Sequence, residues 1–234
     1  MSEEKLEHKI TLSIEAASLY VENESDFTIA ELALRTGIDQ NTIYELFSNK
    51  RSILRYFYNT VVLRYRFMIE EIEDFESYTL SEKLSNFMYT SFDLLSEQQL
   101  FVNETFTSYH FDLFDKQSFE KEVEELFHLF IGQDPNISFS AALVTRGYFY
   151  AILKQKYLGI VYYWLHDDSE HKERTFALVD KFNSFIQEVL YNKVIDKGFD
   201  LTKYAFTTGG ILEQIPVIGD LFKDCNKSKD QDSE

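Results

Sequence analysis

The chain has 234 residues, 44% of them hydrophobic and 16% aromatic, so it is long enough to bury a sizeable core. Only 8 Gly and 2 Pro are present, which favours helices joined by short connections and counts against a sheet protein. The single cysteine excludes an intrachain disulfide and a cysteine-based zinc site, and the formal net charge of −17 counts at first sight against DNA binding.

The acidic charge is concentrated in the later part of the chain. Residues 1–66 hold 8 Lys and Arg against 10 Asp and Glu, whereas the remainder holds 15 against 30. A DNA-binding segment near the N-terminus would therefore be close to neutral, although the rest of the protein would repel DNA at long range.

No membrane-spanning or secretory segment is predicted. The sequence has no apolar run of about 18 residues, and its first residues are acidic, unlike those of a signal peptide. We therefore expect a cytoplasmic protein that does not associate with a membrane.

The first predicted element is a helix from about Glu3 to Glu22. Ile10, Ile14 and Ala17 recur along one of its faces at the spacing of an amphipathic helix. This apolar face predicts that the helix packs against the elements that follow it.

The segment from Phe27 to Arg55, FTIAELALRTGIDQNTIYELFSNKRSILR, predicts two short helices, a tight turn between them and the start of a third helix. Thr28 and Glu31 have the spacing of a capping box, in which each side chain satisfies an N–H at the helix start. Gly37 is suited to end this helix with a positive φ, and Asp39 to cap the next. Such a unit places its second helix in the major groove of DNA.

Residues Ile10 to Leu54 resemble the tetracycline-repressor (TetR) family of bacterial transcriptional regulators. The matching pattern is an apolar first helix, then T-I-A-E-L-A, T-G-I, T-I-Y, F and N-K followed by an apolar residue. The resemblance implies an all-α fold with an N-terminal three-helix helix-turn-helix domain, residues 1–55. A larger helical bundle for ligand binding and dimerisation, residues 56–225, would follow. The charged composition of residues 226–234 predicts a disordered tail.

The resemblance also implies contacts with double-stranded DNA through six side chains, which are Thr28, Gln40, Asn41, Thr42, Tyr44 and Lys50. Gln40 and Asn41 open the second helix, and amides are suited to bidentate pairing with adenine. Thr42 is placed to contact a base edge or a thymine methyl group. The other three match phosphate-binding positions, where the N-terminus of a helix also favours an anion.

Two residues depart from the family pattern. Asp39 stands where the family usually has Ser, and Glu45 stands where a neutral or basic residue is common, so both place negative charge near phosphates. The leading hypothesis is a ligand-responsive repressor that binds a palindromic operator as a homodimer. The alternative is an acidic helical sensor or protein-interaction module that retains the fold but has lost DNA binding.

The helical bundle of residues 56–225, the body, is predicted to consist of long helices. The fourth helix should start near Asn49 and continue to about Glu73 without a breaker, so that one rigid helix is shared by both domains. Five more are expected over residues 80–95, 98–113, 117–131, 138–166 and 169–197. The resemblance implies that the last two form a four-helix bundle with those of a second subunit.

An apolar or aromatic small-molecule effector is expected to bind among the body helices, where such sites are often found. Most of the many aromatic residues are interpreted as core. The predicted pocket lining consists of Phe106, Tyr109, His110, Phe127 and Tyr148.

No enzyme activity, cofactor or metal is expected. Glu125 and His128 have the spacing of half a di-iron motif, but no second half is present. His166, Asp167 and His171 fall where two helices should join and lack a recognised ligand spacing. The apolar segment over residues 198–222 has no basic face, so we expect it to pack on the body or across a dimer rather than on a membrane.

Overall fold

The computed structural model describes residues 3–23, 26–110, 118–138, 141 and 148–192. Within these ranges the chain forms nine α-helices, two short 3₁₀ turns and no strand, which confirms the predicted all-α class. In chain order the helices are α1 (Glu3–Glu22), α2 (Ile29–Thr36), α3 (Gln40–Leu46), α4 (Lys50–Glu70), α5 (Leu80–Ser96), α6 (Gln99–His110), α7 (Phe119–Gly132), α8 (Tyr148–His166) and α9 (Glu173–Tyr191).

Capping boxes start two of the longer helices. Asn49 caps α4 by accepting a hydrogen bond from the N–H of Ser52 at 2.9 Å, and Ser52 Oγ accepts one from the N–H of Asn49 at 3.2 Å. Thr79 and Glu82 make the same reciprocal pair at the start of α5. These local contacts explain why the predicted starts of α4 and α5 agree with the observed ones.

α4 is the central element and packs against α1, α5 and α7. It ends at Glu70, slightly earlier than predicted, because the chain tightens into a hydrogen bond from the N–H of Ile72 to the carbonyl of Ile69. Asp74 then adopts a left-handed conformation with a φ of 60°, and a 3₁₀ turn follows over Phe75–Ser77.

α9 begins four residues later than predicted. His171 and Lys172 have positive φ values of 49° and 60°, which a right-handed helix of L-residues cannot include, so the helix cannot start before Glu173. The first part of the predicted helix 138–166 falls largely outside the described residues, as do the segment 198–222 and the predicted tail 226–234.

Two compact units are present. The first comprises residues 1–135 and 145–188, and the second comprises residues 136–144 and 189–234. In the described part of the second unit, the N–H of Ser138 donates to the carbonyl of Leu190 at 2.9 Å. The domain boundary predicted near residue 55 stays a prediction; α4 runs through that position without interruption.

Candidate functional site

The helix-turn-helix predicted from the sequence is present, with its caps. Thr28 Oγ1 accepts a hydrogen bond from the N–H of Glu31 at 3.2 Å, and Glu31 Oε2 accepts one from the N–H of Thr28 at 2.6 Å. α2 ends at Gly37, whose φ of 71° would strain a residue with a Cβ. Asp39 then caps α3 by accepting from two backbone N–H groups at 2.9 and 3.1 Å.

One side of α3 is buried and the other is open to solvent. Ile43 is fully buried and Phe47 nearly so. Gln40 and Asn41 are exposed in the first turn, and Tyr44 is 57% exposed one turn later. These three predicted DNA-contacting side chains therefore share an accessible surface, as a recognition helix requires.

Two threonines with predicted DNA contacts are bonded to carboxylates of their own turn. Thr28 Oγ1 donates to Glu31 at 2.9 Å, and Thr42 Oγ1 donates to Asp39 at 2.5 Å. The hydroxyl and N–H of Thr42 lower the pKa of Asp39, and the N–H and hydroxyl of Thr28 lower the pKa of Glu31. Both carboxyls therefore remain ionised at neutral pH, and two negative charges lie beside the predicted DNA contacts.

Lys50, the sixth predicted DNA contact, is also engaged within the chain. Its Nζ donates to the carbonyl oxygen of Phe27 at 2.5 Å and lies 4.8 Å from the centre of the Phe27 ring. Because Phe27 directly precedes Thr28, this ammonium group is close to the N-terminus of α2. A cation there increases the preference of a helix start for an anion.

Sequence analysis did not identify the ion pairs that hold α2 on α1. Arg35 Nε lies 2.6 Å from a carboxylate oxygen of Glu15, and Arg35 Nη1 lies 2.6 Å from one of Glu22. The hydrogen bonds to Glu22 and Glu15 raise the pKa of Arg35. The partners are 20 and 13 residues distant along the chain, so no local pattern predicts them.

A cluster of rings joins α1, α4 and α6. The Phe101 ring lies 5.2 Å from that of Phe57 and 5.3 Å from that of Tyr20, measured between ring centres. Beside them the Tyr58 hydroxyl lies 2.8 Å from Thr105 Oγ1. A displacement of α6 would therefore reach both α4 and α1 through packed side chains.

The residues of the predicted ligand pocket have different environments. Phe106 and Phe127 are fully buried, Phe106 against Tyr58 and Phe127 against Phe87. Tyr148 is 86% exposed at the start of α8, so its side chain is not part of the buried aromatic cluster. The side chains of Tyr109 and His110 lie outside the described part of the structure.

The body core instead gathers aromatic rings around Phe87 of α5. The ring centres of Tyr65 and Tyr157 each lie 5.0 Å from that of Phe87, and that of Phe127 lies 5.8 Å away. Tyr65 and Tyr157 each belong to the regularly spaced apolar positions of their own helix. The sequence pattern therefore does not distinguish them from other core residues. Burial raises the pKa of both hydroxyls.

α8 and α9 carry apolar side chains that the first unit leaves exposed. On α8 these are Tyr148, Ile152, Tyr162 and Tyr163, and on the outer face of α9 they are Leu178 and Phe185. Gly159 lies on the same side of α8 as Ile152 and Tyr163, and a Cβ added there would meet nothing within 4 Å. These two helix faces are therefore open to a partner.

Asp167 organises the connection between α8 and α9. Its carboxylate accepts hydrogen bonds from the N–H and hydroxyl of Thr175 at 2.9 and 2.6 Å, and from those of Ser169 at 3.0 and 2.7 Å. Burial opposes ionisation of this group, but the four hydrogen bonds outweigh it and hold the pKa of Asp167 well below its usual range. The carboxylate thus fixes the start of α9.

Neither a metal cluster nor a membrane-spanning helix is found in the described ranges. There, no three His, Cys, Asp or Glu side chains are grouped so as to hold a metal ion, and no helix is long and apolar enough to cross a membrane. His128 lies against the Tyr150 ring, 3.3 Å between centres, and Glu125 pairs with Lys121 at 3.4 Å.

Comparison with known proteins supplies the family. The family described as "Tetracyclin repressor-like, C-terminal domain" matches residues 83–204, just over half of the chain. The crystal structure of the TetR transcriptional regulator from Nitrosomonas europaea ATCC 19718 is similar to this chain, with a TM-score of 0.57 and 14% sequence identity. The similarity covers 76% of this chain and 96% of that chain. At this identity the similarity concerns the fold alone. No curated protein matches significantly. The chain belongs to the tetracycline-repressor (TetR) family of transcriptional regulators.

Proposed function

We propose that this protein is a ligand-responsive repressor that binds a palindromic DNA operator as a homodimer. The observation that carries the proposal is the exposed face of α3, where Gln40, Asn41 and Tyr44 stand on a helix whose opposite side is buried. Each subunit would place this face in a major groove, with half-sites about 34–36 Å apart for each helical turn between them. Gln40 and Asn41 read base edges, and Tyr44 contacts a phosphate.

Docking also requires two side chains to exchange partners, because Thr28 and Thr42 must turn their hydroxyl protons from carboxylates to DNA. The Lys50 ammonium group has three N–H donors, so it can bind a phosphate while it keeps its hydrogen bond to the Phe27 carbonyl. Each exchange trades one hydrogen bond for another, so its net cost is small. The pre-existing bonds hold the side chains at the surface where they are needed.

The predicted helix-turn-helix domain of residues 1–55, the head, is expected to bind DNA with modest affinity and strong salt dependence. Glu31, Asp39 and Glu45 are exposed carboxylates beside the predicted contacts, and the body adds further negative charge. Specific contacts must therefore supply affinity that a basic head would obtain from phosphates alone.

The homodimer is proposed to form through the exposed apolar faces of α8 and α9. Ile152 is 56% exposed and Phe185 is 60% exposed, and exposed apolar side chains that cluster on two long helices mark an interface. Because the chain carries a net charge of −17, two copies repel one another, and apolar burial must outweigh this repulsion. We place the protein in the cytoplasm, without a cofactor or an enzymatic activity.

The proposed effector acts by favouring one arrangement of α4. This helix carries Lys50 at its first turn and Tyr65 in the body core, so a shift in the body moves the head with it. An effector changes DNA affinity only by as much as its own affinities for the two arrangements differ.

A second candidate is an acidic sensor or interaction module that has kept the fold and lost DNA binding. The hydrogen bonds that occupy Thr28, Thr42 and Lys50 within the chain favour it, as does the exposed Glu45. Such a protein would still bind its ligand and still dimerise, so only DNA binding separates the two candidates.

The proposal is tested by fluorescence anisotropy with DNA from upstream of the protein's own gene, across a salt series. The wild-type protein should bind in the presence of competitor DNA, and the double variant Tyr44→Ala/Lys50→Ala should lose affinity for all sequences alike. Leu100→Ala, at an exposed position on α6, is the matched control and should bind like the wild type. Undiminished affinity of the double variant would contradict the docking scheme.

A further inference from the structure

Two tyrosine hydroxyls are buried in the first unit without a hydrogen-bond partner among the described residues. They belong to Tyr65 of α4 and Tyr157 of α8, whose side chains are both 0% exposed. Native proteins pair nearly all their buried polar groups, so an unpaired buried hydroxyl calls for a specific explanation. Two unpaired hydroxyls in one cluster call for a common explanation.

Both tyrosines pack on the same phenylalanine. The Phe87 ring of α5 lies 5.0 Å from each of them, and Phe127 of α7 closes the cluster at 6.2 Å from Tyr157. The two tyrosine side chains therefore lie in an aromatic interior to which α4, α5, α7 and α8 each contribute a ring. A molecule bound there would touch ring faces and meet two hydrogen-bonding groups.

The hydroxyl of Ser91 lies near Tyr157 but does not serve as its hydrogen-bond partner. Ser91 lies beside the Tyr157 hydroxyl and slightly offsets its raised pKa. Ser91 Oγ donates its own proton to the carbonyl of Met88 at 2.7 Å, and it forms no well-aligned hydrogen bond with the Tyr157 hydroxyl. In contrast, the buried hydroxyl of Tyr58 is 2.8 Å from Thr105 Oγ1. The fold thus does provide partners for a buried tyrosine hydroxyl elsewhere in α4.

One lysine on the enclosing helices pairs with two carboxylates. Lys154 of α8 lies 2.8 Å from Glu124 and 3.6 Å from Glu120 of α7. Burial raises the pKa of Tyr65 and Tyr157, so both phenols stay neutral at physiological pH. The interior around Phe87 therefore suits a neutral molecule. Because Lys154, Glu120 and Glu124 together hold one carboxylate in excess, a cationic ligand is the competitor to test.

We propose that the site around Phe87 binds a neutral, flat, largely apolar molecule that carries an oxygen hydrogen-bonded by the Tyr65 and Tyr157 hydroxyls. This inference rests on the proposed function, because it assigns the effector's place and chemical class. Tyr hydroxyls act as donors or acceptors, so a carbonyl or a hydroxyl oxygen fits. Since the rings are closely packed, entry of the molecule displaces α4 from its neighbours.

Binding is tested with acetophenone as the probe and ethylbenzene as its analogue without an oxygen. Isothermal titration calorimetry on the full-length protein, without DNA, gives the affinities, and fluorescence of the single tryptophan, Trp164, gives an independent signal. Acetophenone should bind at least threefold more tightly than ethylbenzene. Tyr65→Phe and Tyr157→Phe should each weaken acetophenone binding about threefold to tenfold and leave ethylbenzene unchanged.

Tyr58→Phe is the matched control, because it removes a buried hydroxyl that already has a partner. It should leave acetophenone binding unchanged and lower the thermal midpoint. Tyr65→Phe and Tyr157→Phe should keep or raise the midpoint, since each removes an unpaired buried group. A lowered midpoint in both would mean that a bound water already satisfies these hydroxyls, and the assignment would be overturned.

Three other results would overturn the inference: no saturable binding of acetophenone, equal affinity for acetophenone and ethylbenzene, or tighter binding of benzyltrimethylammonium than of acetophenone. None of these measurements involves DNA. A protein that binds acetophenone as described but fails to bind DNA would refute the repressor and keep the site, whereas the reverse result would refute the site and keep the repressor.

Discussion

The Nζ atom of Lys50 lies 2.5 Å from the carbonyl oxygen of Phe27 and 4.8 Å from the centre of the Phe27 ring. Phe27 is fully buried and directly precedes the cap of α2, so this one side chain joins the first residue of α4 to the N-terminus of α2. The ammonium group proposed to bind a phosphate therefore also holds the head together.

Lys50→Met should weaken both roles. Loss of the hydrogen bond should lower the free energy of unfolding by about 1 kcal/mol in urea denaturation. Loss of the charge should lower DNA affinity for every sequence alike and reduce the slope of log affinity against log salt by about 1. Lys50→Arg is the control and should retain the slope. An unchanged slope for Lys50→Met would show that Lys50 makes no phosphate contact.

Asp39→Ser should increase DNA affinity with little loss of stability. Serine caps a helix as well as aspartate does, and the change removes a carboxylate that the Thr42 hydrogen bonds keep ionised. The gain in affinity should be largest at low salt and shrink as salt rises. Asp39→Ala, which removes the cap as well as the charge, should lower the thermal midpoint. Equal affinity of Asp39→Ser and wild type at low salt would contradict this view of the head.

Asp167→Asn should destabilise the α8–α9 connection in a pH-dependent way. The pKa of Asp167 is lowered in the folded state, so its contribution is complete above the ordinary value of 3.8 and is lost progressively as pH falls below it. Thermal melts should show the largest difference between variant and wild type at neutral pH and a smaller one in strong acid. Asp168→Asn, at an exposed neighbour, should show little difference at either pH.

Ile152→Glu and Phe185→Glu should each convert the proposed dimer to a monomer. Both positions are more than half exposed on the faces of α8 and α9, and a carboxylate at an apolar interface is costly to bury. Light scattering coupled to size exclusion gives the mass. Leu100→Glu, at a 62% exposed position on α6, is the control and should leave the dimer intact. A wild-type protein that runs as a monomer, or variants that remain dimeric, would exclude this interface.

The head could be predicted from the sequence because its signals are local. The Thr28–Glu31 capping box, the positive φ of Gly37 and the Asp39 cap each depend on residues within one turn of one another. The family resemblance seen in residues 10–54 is also independent of the family match over residues 83–204. Two separate parts of the chain therefore indicate the same family.

The long-range contacts could not be predicted in the same way. The pairing of Arg35 with Glu15 and the bond from Lys50 to Phe27 link residues 20 and 23 positions apart, and only packing of the helices brings them together. In the body, the sequence pattern likewise does not distinguish Tyr65 and Tyr157 from other core residues at helical spacing. Their unpaired hydroxyls become visible only when every neighbour is known.

Selection from a library of random duplexes at low salt would show whether this TetR-family protein reads DNA. We expect enrichment of a palindrome whose half-sites are one helical turn or a multiple of it apart, and loss of that enrichment in Tyr44→Ala/Lys50→Ala. A wild-type protein that enriches no sequence at low salt would instead be a sensor that has lost DNA binding.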